Sequence, residues 1–175
     1  YDIQRLDGLP PEKVTPPPEL LERIRRENAL VDDARRRDFP QAWFLGGFAW
    51  PTVGRISGVY GSQRILNGEP RQPHYGVDIA APIGTPVRAP ADGIVTLAKP
   101  DLYYTGATVI IDHGYRLSST LMHLDRIDVQ VGQRVRKGEV VATVGRSGRV
   151  TGPHLDWRMN WREARIDPAL LVPPM

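Results

Sequence analysis

The chain contains no cysteine, so neither a disulfide framework nor a thiolate metal site is open to it. No apolar run approaches the roughly 20 residues that a helical membrane span needs. The sequence opens on Tyr1 with no initiator methionine and no leader-like segment, as expected of a processed piece of a longer protein. Basic runs interleaved with aromatics are missing too. Arg35-Arg36-Arg37 is flanked by Asp32, Asp33 and Asp38, the pattern of a solvated helix face. The formal charge of +3 is mild, and nucleic acid is not expected as a partner. Histidine is scarce: the four are His74, His113, His123 and His154.

Turn chemistry is abundant, with 17 glycines and 17 prolines among 175 residues. Residues 1–18 carry Gly8, Pro10, Pro11 and Pro16-Pro17-Pro18, which predicts a stiff, extended arm. From Glu19 to about Arg37, Leu20, Leu21, Ile24, Val31 and Ala34 recur at near-helical spacing and predict a helix that Pro18 can open. Asp38-Phe39-Pro40 ends it. Trp43, Phe44, Phe48 and Trp50 then read as an aromatic linker used for packing.

Past Pro51 the texture changes. Short β-branched runs at 93–97, 108–111, 116–122, 127–131 and 139–144 are separated by Gly, Pro or Asp. They predict a mostly β domain, an antiparallel sandwich or open barrel. The division expected is therefore residues 1–50 as arm, helix and linker, and 51–175 as the β domain. An arm of that length can reach across a groove, so a chain starting near Pro51 is expected to be more active if the arm is inhibitory.

Chemistry gathers in the β-rich part. In extended backbone, alternate side chains share a face. His74 and Asp78 then converge, as do His154 and Asp156, while Leu155 and Trp157 turn inward. His123 closes a strand in Met122-His123-Leu124. A pocket of these five side chains offers two or three metal ligands and one or two free imidazoles, the inventory of a metal-assisted hydrolase. His113, at a strand-to-turn junction, reads as a structural hydrogen-bonding residue. Tyr103 and Tyr104 lie in a loop that can edge a groove.

The run His74-Tyr75-Gly76-Val77-Asp78-Ile79-Ala80-Ala81-Pro82, then Gly84-Thr85-Pro86-Val87 and Ala91-Asp92-Gly93, resembles the lysostaphin-like (LytM-type) zinc endopeptidases. Ile111-Asp112-His113-Gly114, Met122-His123-Leu124, Val131-Gly132, Lys137-Gly138 and Thr151-Gly152-Pro153-His154-Leu155 follow in the same family order. The resemblance covers roughly residues 55–160 and implies a β-sheet groove, one zinc ion, peptidoglycan as substrate and a periplasmic or cell-envelope location. It implies His74 and Asp78 as zinc ligands and His123 and His154 as proton-handling residues. The third ligand position, a histidine in the family, is Asp156 here. One imidazole and two carboxylates remain a permitted zinc set, and cancelling the ion's charge with two carboxylates predicts an alkaline pH optimum or a modest rate. The alternative is a catalytically degenerate domain that binds cell wall or activates an amidase as a regulatory partner. The segment 131–141 also resembles the strand-turn-strand of lipoyl or biotinyl carriers, with Lys137 near the turn.

Overall fold

A computed structural model describes residues 3–175. Its strands are β1 (Ile3–Leu6), β2 (Arg55–Gly58), β3 (Gln63–Leu66), β4 (Glu69–Pro70), β5 (Val77–Ala80), β6 (Pro86–Arg88) and β7 (Gly93–Leu102). They continue with β8 (Gly106–Asp112), β9 (Leu117–Ile127), β10 (Arg134–Val135), β11 (Val140–Val144), β12 (His154–Trp161) and β13 (Ala164–Ile166). One helical turn, α1 (Pro11–Val14), and one long helix, α2 (Leu21–Arg36), precede β2.

The larger sheet runs β10-β7-β8-β9-β12-β5-β2, with β11 reaching from β9 to β6 and β13 pairing with β12. All its pairings are antiparallel. The mostly β architecture expected from the β-branched runs is therefore the one found. Alternation along β12 explains the two faces: Leu155, Trp157 and Met159 are buried in the main core with Val77, Ile79 and Leu121, while His154, Asp156 and Arg158 occupy the opposite face. Trp50 packs edge-on to Trp157 and Phe48 edge-on to His113. The aromatic linker thus serves packing.

The run 127–131 differs from its reading as a strand. Beyond Ile127 the chain turns: Gln133 N–H donates to Gln130 O and Gly132 N–H to Val95 O, and Val131 is left exposed. Its alternating valines carry a strand's periodicity without a partner strand to complete it.

Helix α2 packs on the second face of the sheet. Ala34 and Val31 meet Leu97, Leu102 and Ile110. So little apolar area cannot hold a helix by itself, and polar contacts complete the seat. Glu27 accepts the Tyr103 backbone N–H at 2.8 Å, Arg23 donates to Asp101 O at 2.6 Å, and Arg35 donates to Thr120 Oγ1 at 2.9 Å.

The proline-rich arm is more structured than its composition suggests. β1 pairs in parallel with β3, and Leu9, Val14 and Leu66 form a small core of their own. Removing residues 1–50 is therefore expected to destabilise the domain, on the order of 5 kcal/mol for uncovering such buried aliphatic side chains. Thermal melting of a chain starting at Pro51 checks this; a melting temperature matching the full chain would show the arm to be dispensable to the fold.

Candidate active site

Three neighbouring strands build the site. Asp156 on β12 stands directly opposite Asp78 on β5 and, on its other side, opposite Met122 on β9. His154 and Asp156 are two apart on one face of β12. His74 precedes β5, and its Nε2 comes within 3.0 Å of Asp78 Oδ1. Donor atoms of His74, Asp78 and Asp156 all lie within 4.8 Å of one another, and all three residues are buried.

His123 enters through a defect in the sheet. Across β8 and β9, Val109 pairs with Leu121 but Ala107 pairs with Leu124, so β9 carries one extra residue, a bulge. Leu121 and Leu124 both stay in the core, leaving Met122 and His123 to the site side. His123 takes φ of +61°, a left-handed conformation uncommon for a non-glycine residue in a strand and frequent at functional sites.

The imidazoles are oriented by carbonyls. His123 Nδ1 lies 2.8 Å from Ser147 O and His154 Nδ1 lies 3.0 Å from Gly152 O. A carbonyl only accepts, so each Nδ1 carries the hydrogen. The rings are 5.0 Å apart, and His154 Nε2 is 3.7 Å from Asp78 Oδ1. Burial pushes the His123 imidazole down to about 4, against the attraction of Asp156. It is neutral near pH 7, with Nε2 bare.

Two carboxylates directly opposite each other repel, and each has acquired a guanidinium. Arg64 donates to Asp78 Oδ2 at 2.9 Å. Arg158, two residues beyond Asp156 on the same face, donates from Nη2 to Oδ2 at 3.1 Å and from Nε to Oδ1 at 3.2 Å. Burial by itself would raise the Asp156 carboxyl, but Arg158, with His74 adding to it, more than reverses this and holds it well below the usual range. Glycines make room: a Cβ at Gly58 would meet Asp78 Oδ2 at 2.4 Å, and one at Gly76 would meet Asp156 Oδ1 at 2.5 Å.

Sequence reasoning missed both arginines. Arg158 had a signal, the i+2 spacing from Asp156. Arg64 had none, since only the β2–β5 region of the fold brings it to Asp78.

The donor set suits a divalent cation. His74 Nδ1 is buried without a hydrogen-bond partner, and His74 Nε2 and Asp78 Oδ1, 3.0 Å apart, form no aligned hydrogen bond, although buried polar atoms are normally satisfied. Asp156 offers a second carboxylate within reach.

His113 stands apart from this cluster. Its Nδ1 faces Asp92 O and its Nε2 faces Ser119 Oγ, each at 2.8 Å, and Ser119 Oγ also receives the Trp157 indole N–H. It is a core hydrogen-bonding histidine. Burial pushes it down to about 4. Between pH 6.5 and 4 the unfolded chain takes up protons at His113 and His123 that the folded chain refuses. Their stabilisation is therefore complete above pH 6.5 and lost on acidification through that window, on the order of 3 kcal/mol per histidine. Asp112, pushed up to about 6 by burial, acts in the opposite direction. Two imidazoles outweigh one carboxyl, so the melting temperature of the metal-stripped chain should fall from pH 7 to pH 4.5; a flat profile would contradict the assignment.

Lys137 donates from Nζ to Gly46 O at 2.6 Å, which is not the free tip of a carrier turn. Tyr103 is buried and its hydroxyl donates to Glu12 O. Tyr104 instead lines a cleft of about 630 Å3 that contains His74 and His123. A second cleft, of about 260 Å3, contains Asp78 and His154 and is edged by Gln4 and Leu6 of the arm.

Known proteins resemble this chain in sequence and in fold. The chain is 38% identical over 127 residues to the peptidoglycan DD-endopeptidase ShyA of Vibrio cholerae, covering 68% of this chain but 29% of that protein. It is similar to a putative peptidase M23 from Pseudomonas aeruginosa, at 41% identity and a TM-score of 0.78, over 88% of this chain and 62% of that one. A zinc containing peptidase from Vibrio cholerae matches at 32% identity and a TM-score of 0.64, over 69% of this chain and 39% of that one. The chain thus spans less than a third of the curated relative and under two thirds of either solved structure. The pattern of peptidase family M23 itself runs through residues 72–168, from just before His74 to beyond Arg158. With more than half of its length in that pattern, the chain belongs to peptidase family M23.

Proposed function

We propose that this protein is a zinc-dependent endopeptidase of the cell envelope that hydrolyses peptide bonds in peptidoglycan stems or cross-links. The observation that carries this reading is the buried cluster of donor atoms from His74, Asp78 and Asp156, all within 4.8 Å of one another. His74, Asp78 and Asp156 would hold one zinc ion, which supplies Lewis-acid polarisation of the scissile carbonyl and acidification of water. The names of the relatives agree in reaction class, and that of ShyA names peptidoglycan as well.

The chain's own residues handle the protons. Attack of water on the carbonyl carbon releases a proton, and cleavage of the C–N bond requires one at the departing amine. His123 and His154, each fixed through Nδ1 to a backbone carbonyl, share these two duties at Nε2. The cleft beside them is of a size to hold a short peptide segment.

Arg64 and Arg158 alter the charge count. Two carboxylates alone would cancel a divalent ion, the premise of the alkaline optimum. Here each carboxylate is already offset by a guanidinium, so that premise fails and no alkaline displacement is expected from it. The same pairing favours a second reading. Arg158 engages both oxygens of Asp156, as in a site that has exchanged a cation for a salt bridge and serves as a cell-wall-binding or amidase-activating regulator.

Elemental analysis of the purified full chain, with release of soluble fragments from purified sacculi on the same samples, separates the two. One equivalent of zinc and hydrolysis, both lost in Asp156→Ala, support the peptidase. A zinc-free, inert wild type after zinc loading supports the regulator.

A further inference from the structure

Five guanidiniums, those of Arg64, Arg71, Arg149, Arg158 and Arg165, line the larger cleft, and no carboxylate does. Three are matched by acids: Arg64 by Asp78, Arg158 by Asp156, Arg71 by Glu69. Arg149 and Arg165 have no carboxylate within 4 Å among the described residues. Both are laid on aromatic faces instead, Arg149 at 4.7 Å from the Tyr104 ring centroid and Arg165 at 4.1 Å from that of Tyr75. Stacking fixes the guanidinium plane while leaving its hydrogen-bonding edge free, the arrangement suited to bidentate capture of a carboxylate.

The charges feel one another. Burial lowers Arg149 from its ordinary range, and repulsion from Arg64, Arg158 and Arg71 adds to it. A cleft in this state gains from any anion that enters.

We propose that Arg149 and Arg165 form a subsite that reads free carboxylates on the peptide substrate, in the cleft that His74 and His123 also line. This rests on the peptidase reading and narrows it: the preferred substrate is a peptide carrying at least two unamidated carboxyl groups, and amidation at these groups is the feature the enzyme discriminates against. The tyrosine faces and the Met122 side chain give the same cleft an apolar lining for the peptide between them. A phosphate-bearing polymer would share the anionic chemistry but not that requirement.

The test is equilibrium binding to the full chain, by calorimetry, of a short stem-like peptide with two free carboxylates and of its bis-amidated twin, under conditions where neither is cleaved. The acid form should bind about 10- to 100-fold more tightly, with the advantage shrinking at high salt. In Arg149→Gln/Arg165→Gln the preference should fall to within about twofold, while Arg149→Lys/Arg165→Lys, which keeps the charge, should retain part of it. Unchanged melting temperatures show that both variants fold. Equal binding of the two peptides by wild type, no binding of the acid peptide, a preference that survives in the Gln variant, or displacement of the peptide by equimolar inorganic phosphate would each overturn the proposal. Binding is read without turnover, so an inert protein that keeps the preference fails only the peptidase reading. An active one without the preference fails only this inference.

Discussion

His123→Asn is expected to lower hydrolysis of purified sacculi by about 10²- to 10⁴-fold, the range for losing a positioned acid–base group, while zinc content and fold are retained. Asparagine is the informative choice for two reasons. The backbone at His123 has φ of +61°, which asparagine tolerates better than alanine does. Its side-chain amide can also reproduce the donor that Nδ1 now directs at Ser147 O. What it lacks is the second nitrogen. A variant that melts within a few degrees of wild type and binds zinc, yet releases almost no fragments, isolates proton transfer at Nε2. Retained hydrolysis would remove His123 from the mechanism and leave His154 to act alone.

Much of this site can be read in the chain, because its spacing is short-range. His154, Asp156 and Arg158 are alternate residues of one strand, and any extended segment puts them on one face. His74 and Asp78 flank a glycine-rich entry to a strand, where convergence needs only local geometry. Other features depend on pairing between distant segments. The bulge that turns His123 into the cleft exists only because β8 offers one residue, Thr108, where β9 offers two, Met122 and His123. Arg64 reaches Asp78 because backbone hydrogen bonds between His74 and the Gly61-Ser62 segment hold the start of β3 beside the entry to β5, and nothing local marks it. The arm itself reads as stiff coil from its prolines, whereas Ile3–Leu6 becomes a strand by pairing with Gln63–Leu66. The alternation of Val129 and Val131 resembles a strand and stays a turn for want of such a partner.

The Asp156–Arg158 pair is expected to behave as a unit, and placing an imidazole at position 156 should expose this. In Asp156→His, Arg158 loses the carboxylate that both its nitrogens engage and is left as a partly buried cation. Removing one partner of a fully buried ion pair costs about 3–5 kcal/mol; with the Arg158 side chain 30% exposed the loss is smaller, and the metal-free variant should melt on the order of 5 °C lower. Crowding adds to the cost, since the backbone of Gly76 already closes on Asp156 and on the Arg158 stem. Adding Arg158→Leu removes the orphaned charge and should recover most of the loss, because a buried pair replaced by apolar or neutral groups is often tolerated. A double-mutant cycle of wild type, Asp156→His, Arg158→Leu and the double variant therefore carries a coupling of several kcal/mol. Near-additive effects would mean that Arg158 is held by something other than Asp156. Zinc content on the same four proteins carries the argument into function. If Asp156 is a ligand that also accepts from Arg158, the double variant, with an imidazole and no competing guanidinium, should hold zinc at least as tightly as wild type and hydrolyse sacculi. If the pair has displaced the metal, zinc should appear for the first time in the double variant.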